Sequence, residues 1–221
     1  MTSTRAPVTR EAIVTAALEL LADGGLEAVS FRRIATRLGV SAPTLYWHVD
    51  SKRQLMDLMA EALVRRPESV YAGPQPGQPW WEWLHTDARQ VFATLISTRD
   101  APRVVAGNRP TPEAFAGIER VLAVLVDAGL TPGQAQQTLF ALGAYVIGSA
   151  TEWQAEAERQ RSRPRGPGDG GLDALRAGAL ADRPLLLAAV GELRDRPHTD
   201  AFEHGLDLIV EGLRARYAPS S

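Results

Sequence analysis

Residues 30–55 decide the fold of this 221-residue chain and read SFRRIATRLGVSAPTLYWHVDSKRQL. Ser30 is suited to cap a first short helix, because its hydroxyl can accept a hydrogen bond from a free N–H of the first turn, and Gly39 can end that helix. Ser41 can cap a second helix with Pro43 in its first turn, where a missing N–H costs nothing. Two short helices joined by a tight turn are typical of a helix-turn-helix, whose second helix enters the major groove of DNA.

The second helix carries more polar and aromatic groups than so short an element can bury. Only Leu45 and Val49 look like core residues. The outward polar-aromatic face consists of Thr44, Tyr46, Trp47 and His48. Basic side chains begin the neighbouring helices, where they can reach phosphates, at positions Arg32, Arg33, Lys52 and Arg53. Two helices with a glycine turn are also a common corner of helical proteins, so the bare motif leaves both interpretations open.

The composition is that of an ordinary globular protein. Hydrophobic residues make up 45% and charged residues 23% of the chain, and no cysteine is present to form a disulfide or a thiolate metal site. The first residues lack the apolar core of a signal peptide, and no segment reaches the roughly 18 apolar residues that span a bilayer. We therefore expect a cytoplasmic protein with no membrane partner.

The charge is unevenly distributed along the chain, whose formal net charge is −2 at pH 7. Residues 1–66 carry nine Lys or Arg against seven Asp or Glu, which leaves +2, whereas the remainder carries −4. The positive sign suits a first domain that faces the phosphates of a nucleic acid. The asymmetry is too small to decide the function by itself.

Helical periodicity runs throughout the chain, and no alternating run of β-branched residues predicts a strand. We expect an all-α fold of about nine to ten helices. Pro67 and the PQPGQP run at 74–79 divide the chain in two. The predicted domains are a three-helix helix-turn-helix domain at 1–66 and a larger helical domain at 67–221. Proline and glycine predict a mobile loop at about 161–171.

The segment SFRRIATRLGVSAPTLYWHVDSKRQLMDLM resembles the DNA-binding domain of the TetR family of transcriptional regulators, and most of all its tetracycline-repressor subfamily. LGV, PTLYWHV and the lysine that follows carry the resemblance, which covers about residues 10–66. It continues more weakly through STRDAPRVVAGNRPTPEAF, TLFALGAYVIGSATEWQAEAE and AFEHGLDLIVEGL. The resemblance implies a homodimeric repressor that binds a palindromic operator in double-stranded DNA and is released by a small-molecule inducer.

Several DNA contacts follow from this resemblance. Arg32 is expected to read a guanine edge, and Pro43 and Thr44 are expected to touch thymine methyls and a neighbouring base or phosphate. The residues expected at phosphates, by resemblance or by position at a helix start, are Ser30, Arg33, Tyr46, His48 and Lys52.

Three further positions bear on the operator. Phe31 stands where the subfamily has a hydroxyl residue, and Ala42 stands where it has a base-reading glutamine. Because alanine offers DNA only a methyl group, we expect an operator different from that of the subfamily. Trp47 is open between packing against the first helix and touching DNA.

The second domain is expected to form the dimer. By resemblance, helices at about 131–159 and 200–217 of each subunit make a four-helix bundle with a second copy of the chain. Small residues on the first of these helices would let another helix approach closely, namely Ala141, Gly143, Ala144, Gly148 and Ser149. The same strip also suits packing within one subunit.

The second domain is also expected to hold the inducer in a mostly apolar site. The candidate residues are Glu68, Trp83, Asp87, Val91, Val105, Asn108, Val121, Tyr145 and Glu152. The subfamily binds drug and magnesium through two histidines, an asparagine, a glutamine and a phenylalanine, which align with Glu68 and Val105, Asp87, Val121 and Val91. Because no imidazole remains at Val105, we expect no metal or other cofactor and an inducer other than Mg-tetracycline. Each candidate residue also suits a plain core.

Two other functions compete with that of a ligand-released repressor. An enzyme is not indicated, because the chain has no cysteine and no GxSxG motif, and its four histidines do not share the i, i+4 spacing of metal ligands. The alternative that remains is a DNA-binding dimer with no small-molecule inducer, gated by a protein partner. The large second domain favours a sensor.

Overall fold

The computed structural model describes residues 8–65, 73–162, 178, 182–193 and 199–218. Within these ranges the fold is all-α, as the sequence predicts, and contains ten α-helices. They are α1 (Arg10–Gly24), α2 (Phe31–Leu38), α3 (Ala42–Tyr46), α4 (Lys52–Val64), α5 (Trp80–Ser97), α6 (Ala101–Val105), α7 (Phe115–Asp127), α8 (Pro132–Ser162), α9 (Pro184–Leu193) and α10 (Thr199–Tyr217). None of the described helices has the length and apolar character needed to cross a bilayer.

The predicted helix-turn-helix is formed by α2 and α3. The Ser30 hydroxyl accepts a hydrogen bond from the Arg33 N–H at 3.3 Å, and Gly39 ends α2 in the left-handed conformation with φ +67°. Ser41 occupies the N-cap position of α3 but does not cap it through its side chain, because its hydroxyl lies 2.8 Å from the hydroxyl of Thr44 instead. The helix ends at Tyr46, so Trp47 and His48 of the polar-aromatic face lie in the turn after it.

A small core holds these helices together. Leu45 and Val49 are fully buried, as the sequence predicts, with α1 and α2 contributing Ile13, Leu21 and Ile34 to the same core. The fourth helix, α4, also belongs to this unit, because its buried side chains pack on α1 as well as on α6. The predicted domain boundary at residue 66 lies outside the described residues and stays a prediction.

One carboxylate joins the first helices to the rest of the molecule. Asp100 has a positive φ of 59°, and its side chain accepts a hydrogen bond from the Leu26 N–H at 2.8 Å. The Asp100 N–H donates to the side chain of Gln154 on α8 at 3.0 Å. The same glutamine donates to the carbonyls of Leu95 and Thr98, both at 2.8 Å. Gln154 therefore holds the turn between α5 and α6 in the conformation in which Asp100 contacts Leu26, just after α1.

The second part of the chain is built on α5, α8 and α10, which pack against one another. The rings of Phe92 and Phe202 stack with centroids 3.7 Å apart, and the Tyr145 hydroxyl donates to the Phe202 carbonyl at 2.9 Å. A Cβ at Gly205 would lie 2.2 Å from the Tyr145 hydroxyl oxygen, so only glycine permits this close approach of α10 to α8.

The first two residues of the predicted loop at 161–171 are helical instead, because α8 continues through Ser162. Residues 163–171 lie outside the described part of the chain.

Gln154→Ala is expected to lower the free energy of unfolding by about 2–3 kcal/mol, because it leaves two carbonyls and one N–H of the α5–α6 turn without partners. Urea unfolding at one protein concentration, followed by circular dichroism, measures this change. Gln160→Ala, which removes an exposed amide from the same helix, is the control and is expected to change stability by less than about 0.5 kcal/mol. Equal effects of the two substitutions would contradict the role assigned to Gln154.

Candidate nucleic-acid interface and ligand cavity

The ten residues expected at DNA all reach the surface. Arg32, Arg33, Pro43, Tyr46, Trp47 and Lys52 are exposed, and Ser30, Ala42, Thr44 and His48 are half-buried. They belong to the start of α2, to α3 with the turn after it, and to the first residue of α4. The side chains therefore form a surface of donors, acceptors and aromatic rings around a short helix whose inner side is held by Leu45.

Trp47 does not pack against α1. Its side chain is 84% exposed, so the packing alternative left open by the sequence is wrong for this chain. Tyr46 beside it is 51% exposed, and its ring stacks on that of Phe31 with centroids 4.7 Å apart and planes 22° from parallel. The Arg10 Nε donates to the His48 carbonyl at 3.4 Å and so links α1 to the turn after α3.

A cavity of about 790 Å³ lies between the end of α4, α5, the end of α6 with the loop after it, α7 and α8. Its walls are mostly apolar, as in small-molecule sites of this size. Helix α7 covers it loosely, because Leu125 is the only fully buried side chain of that helix. From α8 the wall receives Leu139, Leu142, Gly143, Val146 and Ile147.

The structure brings together five of the nine residues expected at the ligand. Those that line the cavity are Asp87, Val91, Val105, Asn108 and Val121. Glu68 lies outside the described residues.

Three of the expected ligand residues are directed elsewhere. Trp83 is buried in the core at the start of α5 and does not line the cavity. Tyr145 packs against α10, because its hydroxyl donates to the Phe202 carbonyl and its ring stacks on that of Phe202. Glu152 is exposed and does not line the cavity, and it lies four residues after Gly148 on the outer side of α8. Their side chains have the chemistry to bind a ligand, but they lie on helix faces that do not border the cavity.

Four charged residues of the cavity wall were not foreseen: Glu61, Arg65, Glu113 and Arg120. Within the wall, Asp87 is only 8% exposed. The Asn108 side-chain oxygen is buried and has no hydrogen-bond partner among the described residues, so it is an acceptor that a bound molecule could satisfy. Asn108 was expected as a polar group able to orient a ligand, whereas the four charged residues were not among the expected ones.

Among the described residues, the cavity wall carries carboxylates but no imidazole. Val105 contributes an apolar wall where the subfamily has an imidazole, and none of the described histidines lines the cavity. His85 is the described histidine nearest in sequence to the cavity residue Asp87. Its Nε2 instead contacts Oδ1 of Asp207 on α10 at 2.9 Å. The described residues contain no group of three or more His, Asp or Glu side chains able to hold a metal ion.

Helix α4 is hydrogen-bonded to the loop that borders the cavity. The Glu61 carboxylate accepts hydrogen bonds from the Thr111 N–H and from its hydroxyl. One turn earlier, Asp57 accepts from the Arg109 N–H at 3.3 Å, and Arg53 donates to the carbonyl of Gly107. The loop at 107–111 and α4 are therefore expected to move together.

A charged contact also connects α1 with the residues at the cavity. Arg10 pairs with Glu113 at 3.3 Å across an exposed surface. The Thr111 hydroxyl, whose single proton is shared with Glu61, then the backbone N–H of Glu113 and the charge of Arg10, hold the pKa of Glu113 below its usual value. The glutamate is therefore ionised and available to Arg10 at neutral pH, although an exposed pair of this kind stabilises little.

The outer side of α8 and α10 is apolar and rich in small residues. Its exposed members are Ala141, Ala144, Gly148, Ala201, Leu208, Gly212 and Ala215. Gly143, which the sequence placed on the same strip, instead lines the cavity. The large apolar side chains of helix α9 are also exposed, namely Leu185, Leu186, Leu187, Val190 and Leu193. A single chain leaves these surfaces uncovered.

Two domain families match the chain. The family described as bacterial regulatory proteins, tetR family, matches residues 13–59, and the family described as tetracyclin repressor-like, C-terminal domain, matches residues 73–217. The tetracycline repressor protein class C of Escherichia coli is 35% identical over 204 residues, which cover 92% of this chain and 90% of that protein.

Solved structures with the same fold contain bound small molecules. The TetR family protein ActR of Streptomyces coelicolor in complex with actinorhodin aligns with a TM-score of 0.74 at 27% identity, over 98% of this chain and 100% of that chain. TetR (class A) in complex with 5a,6-anhydrotetracycline and magnesium aligns with a TM-score of 0.67 at 26% identity, over 94% of this chain and 99% of that chain.

Trp47→Ala is expected to change the free energy of unfolding by less than about 0.5 kcal/mol, because the ring buries almost no surface in the free protein. Leu45→Ala, two residues earlier and fully buried, is the control and is expected to cost about 2–5 kcal/mol. Urea unfolding measures both. A loss of stability in Trp47→Ala as large as that in Leu45→Ala would mean that the tryptophan packs in the core.

Proposed function

This chain belongs to the TetR family of DNA-binding transcriptional regulators, and we propose that it is a repressor that binds a palindromic operator as a homodimer and is released by a small, largely apolar molecule. The observation that supports this most directly is that one helix connects the two candidate surfaces. Helix α4 begins at the exposed Lys52, close to α3 in the chain, and its last turns line the cavity at Glu61 and Val64.

In the proposed complex, α3 enters the major groove. Arg32 reads a guanine, Ala42, Pro43 and Thr44 lie along base edges, and Trp47 faces the DNA. The residues assigned to phosphates are Ser30, Arg33, Tyr46, His48 and Lys52. The exposure of these side chains supports the assignment, since a side chain can contact DNA only where it is not already buried.

The proposed dimer buries the outer side of α8 and α10 against a second copy of the chain. Small residues at Ala144, Gly148 and Gly212 are exposed and would allow helices of two subunits to approach closely. A two-fold dimer would set its two reading heads about one helical turn, roughly 34–36 Å, apart on DNA.

The proposed inducer is a large, planar, mostly apolar molecule that carries at least one hydrogen-bond donor. The cavity volume of about 790 Å³ and its apolar walls support the size and character. The unpaired oxygen of Asn108 supports the donor. Relatives bind actinorhodin and anhydrotetracycline, the latter with magnesium. The loss of the imidazole at Val105 favours a ligand that binds here without the metal.

Release requires the ligand to bind one conformation of the dimer better than the other. We propose that a molecule in the cavity shifts the loop at 107–111, that α4 follows through its contacts with this loop, and that the spacing of the reading heads then changes. Asp57 and Glu61 carry these contacts from α4.

The function is tested in two steps with the full-length protein. The duplex that the protein prefers is first selected from a random-sequence pool, and planar aromatic compounds are then screened by thermal shift without and with magnesium, since a ligand of the folded state raises the melting temperature. A compound that raises it without magnesium and releases the duplex is the expected result. Duplex binding that no compound alters would favour the alternative, a DNA-binding dimer gated by a protein partner.

Arg32→Ala and Lys52→Ala are expected to weaken operator binding in different ways. Arg32→Ala should cost about 1–3 kcal/mol and relax specificity at one base pair. Lys52→Ala should weaken binding to every sequence and reduce the slope of log affinity against log salt by about one. Fluorescence anisotropy over a salt series measures both, with Arg89→Ala in the second domain as the charge-matched control. A uniform loss in Arg32→Ala would make it a phosphate contact instead.

Asp57→Ala is expected to weaken release while leaving ligand binding unchanged, because this carboxylate holds the loop but does not line the main cavity. The ratio of operator dissociation constants with and without the inducing compound should fall at least about fivefold. Asp127→Ala, which removes an exposed carboxylate from the end of α7, is the control. An unchanged ratio in Asp57→Ala would exclude this contact from the transmission of the signal.

A further inference from the structure

We propose that Phe31 is a positioning residue for DNA recognition, which acts by holding the ring of Tyr46. The proposal rests on the DNA-binding function proposed above. Phe31 is an aromatic side chain at the edge of the surface proposed to face DNA, and its ring contacts that of Tyr46.

The contact joins two helices. Phe31 is the first residue of α2, and Tyr46 is the last residue of α3. Their ring centroids lie 4.7 Å apart with an angle of 22° between the planes, which is a stacked arrangement. Aromatic pairs favour this geometry beyond the apolar area that they bury. The start of α2 and the end of α3 are therefore fastened together at the surface.

Both rings start from an anchored backbone. Ser30 caps α2 and accepts a hydrogen bond from Arg33, which fixes the turn that contains Phe31. Leu45 is fully buried and fixes the turn that precedes Tyr46. The remaining freedom of Tyr46 is that of its own side chain, and the stack with Phe31 is the contact that restricts it.

The hydroxyl of Tyr46 is left available by this arrangement. The side chain is 51% exposed, and its hydroxyl makes no hydrogen bond to any described residue. A phenolic O–H at the surface can donate to a phosphate oxygen of DNA. Because the ring is already held, little side-chain freedom remains to be lost when DNA binds, and affinity increases through preorganisation.

Phe31 needs no DNA contact of its own for this role. Its neighbours Arg32 and Arg33 supply the charge at the start of α2, and the phenylalanine is half-buried. Leucine at position 31 would retain most of the apolar volume but could not stack. Tyrosine would retain the ring. These two substitutions therefore separate the ring from the bulk of the side chain.

The experiment compares the wild type with Phe31→Leu, Phe31→Tyr, Tyr46→Phe and the double variant Phe31→Leu/Tyr46→Phe on the duplex selected by the wild type. Phe31→Leu is expected to weaken binding about 3- to 10-fold, a size typical of one aromatic pair. Phe31→Tyr should stay within about twofold of the wild type, since it retains the stack. The salt dependence should not change in any variant, because no charge is removed.

The double variant gives the decisive comparison. In the Tyr46→Phe background, Phe31→Leu should cost less than about twofold, because the hydroxyl that it positions is already gone. An equal cost in both backgrounds, or wild-type binding by Phe31→Leu, would overturn the proposal. Melting temperatures establish that each variant is folded at the assay temperature, and Phe31→Met, with the same expected loss, replaces Phe31→Leu should the latter melt.

The experiment also distinguishes a failure of this proposal from a failure of the proposed DNA-binding function. A wild-type protein that selects no duplex from the pool would overturn the proposed function and the role of Phe31 with it. A wild type that binds a duplex, with an unimpaired Phe31→Leu, would overturn the role of Phe31 alone.

Discussion

The carboxylate of Asp100 sets the position of the helix-turn-helix relative to the cavity. It accepts a hydrogen bond from Leu26 in the first helical unit, while its own N–H donates to Gln154 in the middle of the longest helix. The positive φ of Asp100 lets one residue face both partners. Because Gln154 also holds two carbonyls of the same turn, the joint between the two parts is ordered by partly buried hydrogen bonds, whose loss is costly. The DNA-facing surface and the cavity thus share one rigid reference, α8.

The side of the cavity formed by α7 is packed less tightly than the side formed by α8. Helix α7 has a single fully buried side chain, and the loop before it is held to α4 by hydrogen bonds that it donates to Asp57 and Glu61. Packing energy is therefore concentrated on α5, α8 and α10, whereas polar contacts near the surface secure α4 to its loop. Elements held by few buried apolar contacts open at low free-energy cost. The fold thus combines a closely packed side on α5, α8 and α10 with a loosely packed side on α7, and the latter is the side that the proposed ligand would displace.

Local signals in the sequence predicted the fold well because caps and turns depend on neighbouring residues. Ser30 and Gly39 bound α2 as expected, and Leu45 is buried as expected. The cavity was predicted only in part, because its walls depend on which side of each helix faces inward. Tyr145 and Glu152 carry suitable chemistry, but α8 turns Leu142 and Val146 toward the cavity and these two residues away from it. Glu61 was missed because its loop partner lies 50 residues away, and no periodicity specifies that pairing.

The division of α3 into an anchoring side and an outward side has an evolutionary consequence. Leu45 secures this helix, whereas Pro43, Tyr46 and Trp47 project from it and contribute little to the core. Substitutions at these outer positions leave the fold intact, because surface changes away from caps and cores alter stability only slightly. A gene encoding such a protein can therefore drift toward new binding sequences in the genome without passing through misfolded intermediates, and duplicated copies can acquire separate targets while retaining the same scaffold.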